Sequence, residues 1–248
     1  MRLDKWLFGG DLDIISRTEK AEGYFMARRE QNTKFLVFWR IMCLVYFTVT
    51  EVIYWTGRQE DSIPVLLFMT NQGHYFFGLF NLLTLVAYIR HELIGEPLPA
   101  DSGSPWLLWK WVSVLFNLLI SLQFWIVVLF WTMWFVYSWD EVDTKKLPIY
   151  GVVSKHGIYF ALLLVDAGLN KIHVEYNQWA VVALYNVGYN LTLIVARFGF
   201  NQIVYPFMTY DSLVSWGFFL VSLALVTVSH LLFYVVAKQR TFESSSSS

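Results

Sequence analysis

The chain has 248 residues, of which 56% are hydrophobic and only 15% charged, with a formal net charge of −1. A water-soluble domain usually carries about 25% charged residues, so the composition excludes an ordinary soluble fold, and the near-zero charge gives no reason to expect a nucleic-acid partner. The single cysteine, Cys43, excludes an intrachain disulfide.

Residues 1–34 are polar, of mixed charge, and read as a cytoplasmic tail. They lack the apolar core of a cleavable signal peptide, so the first membrane helix is expected to act as an uncleaved signal anchor. A helix needs roughly 20 mostly apolar residues to cross the hydrocarbon core. On that basis, spans are predicted at about 35–56, 63–89, 108–137, 149–170, 179–199 and 212–237. Runs such as WIVVLFWTMWFVY and FFLVSLALV do not alternate with the period of two that a barrel strand needs. The expected fold is therefore all-α, a bundle of about six transmembrane helices over residues 35–237, with a C-terminal tail at 238–248.

The connections are short, and all six prolines fall in them or at span ends, where they interrupt helices least. No internal repeat suggests an inverted-repeat transporter. Lys and Arg are richer on the side that holds both termini, which predicts that both are cytoplasmic. The sequon-like Asn190-Leu191-Thr192 lies inside a span and is not expected to be glycosylated. The 19% aromatic content fits interfacial Trp and Tyr, and the run Trp125, Trp131, Trp134 and Trp139 reads as lipid-facing or interfacial.

Polar groups inside the bilayer are costly and normally face the bundle interior. At about 100° per residue, they line up here. Span two carries Thr70, His74, Asn81 and Thr84, and span four carries His156, Tyr159, Asp166 and Asn170. Span five carries Asn186, Asn190 and Arg197, and span one carries Arg40 and Glu51. Arg40 is expected to snorkel to the interface, and Asp166 to form an ion pair or hydrogen bond near the cytoplasmic end of its span.

Thr70, His74, His156 and Glu51 should share one half of the bilayer. A hydroxyl, two imidazoles and a carboxylate at one level can support nucleophilic catalysis, the hydroxyl attacking and a histidine taking its proton. The plainer alternative is that these groups hold helices together, and that the threonines bond their own backbone. His74, His156 and Glu51 could also supply three metal ligands. No HxxxH or HxxEH pattern supports that, and neither a metal nor a cofactor is expected.

The segment LLFMTNQGHYFFGLFNLL resembles the LTNWG region of rolling-stone-like membrane proteins, and the threonine-bearing segment of the related androgen-induced transmembrane proteins. KHGIYFALLLVDAG resembles their histidine segment, in which an acid follows the His by ten residues; here the pair is His156 and Asp166. QIVYPFMTYD resembles their VYPF loop before the last helix. The matches occur in the family's order and span about residues 63–215. The androgen-induced branch consists of threonine hydrolases that cleave fatty acid esters of hydroxy fatty acids. The resemblance therefore implies Thr70 as nucleophile and His156 as its partner. Alignment on the His-Gly dipeptide would instead put Tyr159 at the histidine position, whereas alignment on the acid selects His156 and also fits the rolling-stone pattern.

The expected function is hydrolysis of a lipid ester within the bilayer. Asn71 or His74 would steady the oxyanion, with Glu51, Tyr159 and Asn190 as supporting residues. The rolling-stone branch keeps open a non-enzymatic role in cell fusion or membrane organisation. A small transporter or receptor using the same polar interior is a third reading. The expected partners are the lipid bilayer and the lipid-ester substrate.

Overall fold

A computed structural model describes residues 33–57, 65–94, 106–136, 153–170, 172, 174–205 and 207–246. The expected tail up to residue 32, most connections and all six prolines lie outside these residues. The described residues are helical, with no strand. The helices are α1 (Thr33–Gly57), α2 (Met69–Tyr88), α3 (Trp106–Val136), α4 (Tyr159–Leu169), α5 (Trp179–Phe200) and α6 (Leu213–Ser246). A π turn, Ser154–Ile158, leads into α4, and another, Ile89–Leu93, extends α2.

Four segments are long and apolar enough to cross a membrane: Thr33–Thr56, Lys110–Thr132, Tyr176–Phe200 and Leu213–Gln239. This is the pattern of a membrane protein. The other two expected spans correspond to α2 and α4. The first three turns of α2 carry Thr70, Asn71, Gln72 and His74, which dilute its apolar character. The 11 residues of α4 with its 5-residue π turn fall short of the roughly 20 a crossing needs. α6 continues beyond 237 to Ser246.

α3 is the central helix. It is buried over 72% of its apolar window, against 22% for α1 and α6. α2, α4, α5 and α6 pack against it, and α1 lies outside on α2 and α4. An all-round apolar helix suits that position. Phe80 meets Phe116 and Gly73 meets Gln123, so α2 and α3 run antiparallel. One apolar cluster joins Cys43, Phe77, Phe80, Phe116, Leu119 and Leu163. A second, across α3, joins Leu122, Trp125, Ile126, Val182, Leu193 and Val226.

The outer surface is apolar, with Val45, Val52, Leu184, Val195, Leu220 and Val228 exposed, while Arg40, His74, Asn117, Asp166, Asn186 and His230 are buried. Polar groups inside and aliphatic ones outside is the distribution a lipid environment selects. Two glycines set the spacing. A Cβ on Gly78 would lie 2.8 Å from the Phe47 ring, and one on Gly73 would lie 2.9 Å from Gln123 Nε2. Small residues let helix backbones approach closely, and here they seat α2 between α1 and α3.

α5 ends where Asn201 takes a left-handed conformation, φ 53°, and the Gln202 N–H donates to the Ala196 carbonyl at 2.9 Å. This satisfies a carbonyl the helix would otherwise leave open. Arg197 fastens the same end through Asn201 Oδ1 (2.7 Å) and Asp211 (2.9 Å). It therefore anchors a loop and does not continue the interior stripe of α5.

Candidate active site

The polar side chains gather into three centres, and the richest, between α1, α2 and α4, is built around Glu51. Its Oε1 lies 2.6 Å from His74 Nε2 and 4.0 Å from Lys155 Nζ, and its Oε2 accepts from Trp55 Nε1 at 3.0 Å. Lys155 donates to Asn71 Oδ1 at 2.6 Å and stands over the Tyr54 ring, 3.3 Å from its centroid. The Tyr159 hydroxyl is 3.4 Å from His74 Nε2, and the Tyr159 ring meets the His74 ring edge to face at 4.3 Å. A buried charge is tolerable only when it is paired and hydrogen-bonded, and this arrangement pairs a carboxylate with an ammonium and an imidazole.

Local structure sets these directions. Glu51 reaches Trp55, four residues on and one helical turn away. The turn that opens α2 is held from α5 and the loop that follows it. The Met69 N–H donates to the hydroxyls of Tyr189 (3.0 Å) and Tyr205 (3.1 Å), and Tyr189 donates to the Leu67 carbonyl at 2.8 Å. The Tyr185 hydroxyl donates to Gln72 Oε1 at 2.5 Å. These bonds satisfy amides and side chains that a helix start leaves open and hold the Thr70 turn. On the other flank, Tyr46 and Ser154 share a hydrogen bond of 2.7 Å, which ties the π turn to α1.

Glu51, His74 and Tyr159 come together as the sequence stripes suggest, and Asn71, which lies off the α2 stripe, joins them through Lys155. Thr70 sits beside Asn71 in the first turn of α2, half-buried. His156 stacks on Phe130 at 3.7 Å, and its carbonyl accepts from Trp131 Nε1. Among the described residues no hydrogen bond joins Thr70 to His156 or to His74. A π turn spaces its residues more widely than an α turn. Here it directs Lys155 toward Glu51 and Asn71 while His156 lies against α3. Asn190 belongs elsewhere: it bonds Asn186 and accepts from Tyr210 at 3.1 Å, between α5 and α6.

Two expectations are overturned, the first at the second centre. Arg40 does not snorkel; it is 1% exposed and forms an ion pair with Asp166, Nε to Oδ2 3.0 Å. Asp166 also accepts from Asn170 at 2.5 Å, so a carboxylate within reach drew the guanidinium inward. Trp125, expected to be lipid-facing or interfacial, is buried in the cluster across α3. Its neighbours there come from α5 and α6, whose packing against α3 a linear sequence does not reveal. The third centre is a seam on α3. Ser113 accepts from Gln178 at 3.2 Å, and Ser121 lies 3.4 Å from His230 Nδ1, whose Nε2 is 3.0 Å from the Glu175 carbonyl.

The threonines mostly bond their own backbone, as Thr50 does to Tyr46 and Thr84 to Phe80. Among the described residues no group of three or more His, Cys, Asp or Glu is placed to hold a metal ion. Lys155 is the charged residue of this centre that sequence patterning passes over. Its one available signal is a cation four residues before Tyr159, on the same helical face. No protein-family model, curated protein or solved structure matches the chain.

Proposed function

We propose that the chain is a six-span membrane protein that hydrolyses a lipid ester within the bilayer, with Thr70 as nucleophile and His156 as general base. The observation that carries this reading is the 2.6 Å bond between Lys155 and Asn71. These residues are the immediate chain neighbours of His156 and Thr70, so the bond joins the turns that carry the two. Depth agrees with this. Gln123 and Ile126 face Gly73 across antiparallel helices, so Phe130, one turn beyond Ile126, and the His156 stacked on it lie near the level of the Thr70 turn.

The chemistry follows. Thr70 Oγ1 bonds to the acyl carbon as its proton passes to His156. The tetrahedral adduct then breaks its ester C–O bond, and the alcohol leaves with that proton. Water attacks the threonyl ester, passing a proton to the same imidazole, and Thr70 recovers it as the acid departs. The apolar exterior of α1 and α2 lets the lipid chains remain in the membrane.

A second assignment of the base has one observation in its favour. His74, one turn along α2 from Thr70, is paired with Glu51 at 2.6 Å, and a carboxylate on an imidazole is a common way to orient a base. Labelling of the purified protein with a fluorophosphonate probe, together with a lipid-ester turnover assay, tests both. Loss in Thr70→Ala and His156→Ala, with His74→Ala still active, supports the first assignment. Loss in Thr70→Ala and His74→Ala alone supports the second. A folded wild-type protein with neither label nor turnover overturns hydrolysis and leaves the membrane-organising and transport readings.

A further inference from the structure

Gln123, in the middle of α3, is 1% exposed, yet neither its Nε2 nor its Oε1 has a hydrogen-bond partner among the described residues. A buried amide left unpaired costs roughly 1–3 kcal/mol, and such groups in a native fold call for an explanation. Its surroundings supply one. The Nε2 abuts Gly73, which has no side chain to intervene, and Ile126 Cδ1 meets Gly73 at the same point. At about 100° per residue, Gly73 lies roughly 60° to one side of Thr70 on α2 and His74 roughly 40° to the other, both about one turn deeper. The unpaired amide thus lies against α2 one turn along from Thr70, on the side of the helix opposite the Glu51–His74 pair.

Two other groups near this turn can donate to an ester oxygen, and each already has a charged neighbour. The side-chain oxygen of Asn71 accepts from Lys155, and His74 Nε2 faces Glu51 while its Nδ1 has no partner among the described residues. Gln123 is the buried amide beside this turn that has no such commitment. We propose that Gln123 is a catalytic residue of the hydrolysis, its Nε2–H donating to the ester carbonyl oxygen as that oxygen gains negative charge during attack by Thr70. This inference rests on the hydrolase reading. A donor held in a dry site and aimed at developing charge is among the strongest single contributions to acyl-transfer catalysis.

The test compares wild type with Gln123→Leu and Gln123→Met in the lipid-ester assay, with thermal unfolding in the same detergent. Both variants keep the volume and remove the donor. The expected result is a fall in kcat of roughly 100-fold or more, with KM nearly unchanged and an unfolding midpoint equal to or above wild type. The rate of fluorophosphonate labelling should fall in parallel. Gly73→Ala, which pushes a methyl group into Nε2, should lower kcat in the same direction. A wild-type enzyme that turns over while both Gln123 variants keep kcat within threefold would overturn the role of Gln123 and leave hydrolysis standing. A folded wild type without turnover overturns both.

Discussion

Lys155 and Asn71 lie 84 positions apart in the chain and meet at 2.6 Å, the ammonium of a π turn on the side-chain oxygen of the first turn of α2. That bond, with the neighbouring Glu51 carboxylate, decides how the fourth helix is set against the second.

Lys155→Met removes the bond and leaves Glu51 with less positive charge nearby. If the bond positions His156 relative to Thr70, turnover falls by about 10- to 100-fold, since misplacement by an ångström costs that much in an oriented site. Lys155→Arg should recover part of the loss. Equal kcat in wild type and Lys155→Met would rule out a positioning role.

Gly78→Ala places a methyl group 2.8–2.9 Å from three atoms of the Phe47 ring. Overpacking of this kind costs about 1–3 kcal/mol. Denaturant unfolding in detergent should show that loss, and the double variant with Phe47→Leu should regain most of it. A double variant no more stable than Gly78→Ala would place the strain elsewhere.

Tyr189→Phe and Tyr205→Phe each remove one of two hydroxyls that accept from the Met69 N–H. Tyr205→Phe alone should cost about 1 kcal/mol or less, because the Tyr189 hydroxyl remains, and Tyr189→Phe should cost more because it also removes the bond to the Leu67 carbonyl. Together they leave a buried donor unpaired, and the loss should exceed the sum of the two. A double-mutant cycle on unfolding free energy measures that excess.

Tyr210 sits outside the long apolar segments, and burial pushes its phenol up to about 12. Its hydroxyl donates to Asn190 Oδ1 at 3.1 Å. Because the folded value lies above the unfolded one near 10, the contribution is complete below pH 10. It is lost as the pH rises from 10 through about 12. Tyr210→Phe should therefore flatten part of the stability loss in that window, which an alkaline unfolding series would reveal.

The helical elements were legible because membrane spans announce themselves by length and apolarity: α5, expected at 179–199, runs Trp179–Phe200. The stripe on α2 was legible too, since His74, Asn81 and Thr84 keep one helical phase and all three are buried. What periodicity could not supply was the partner of each group. Arg40 reads alone as a residue that should seek the interface, and its carboxylate lies on another helix. Lys155 was hidden by the π turn, whose altered phase no α-helical template describes. Gln123 lies in an apolar run, SLQFWIVV, where one amide carries no pattern. Its significance comes from Gly73 on a different helix.

The Arg40–Asp166 pair also bears on how the protein is made. The two residues are 126 positions apart, so when α1 leaves the ribosome Asp166 has not been synthesised. Ionisable groups within a membrane pair with one another, and this pair can form only once α4 has been made. The join between them is therefore a late step in biogenesis, and a chain truncated before residue 166 should be retained and degraded where the full-length chain is released.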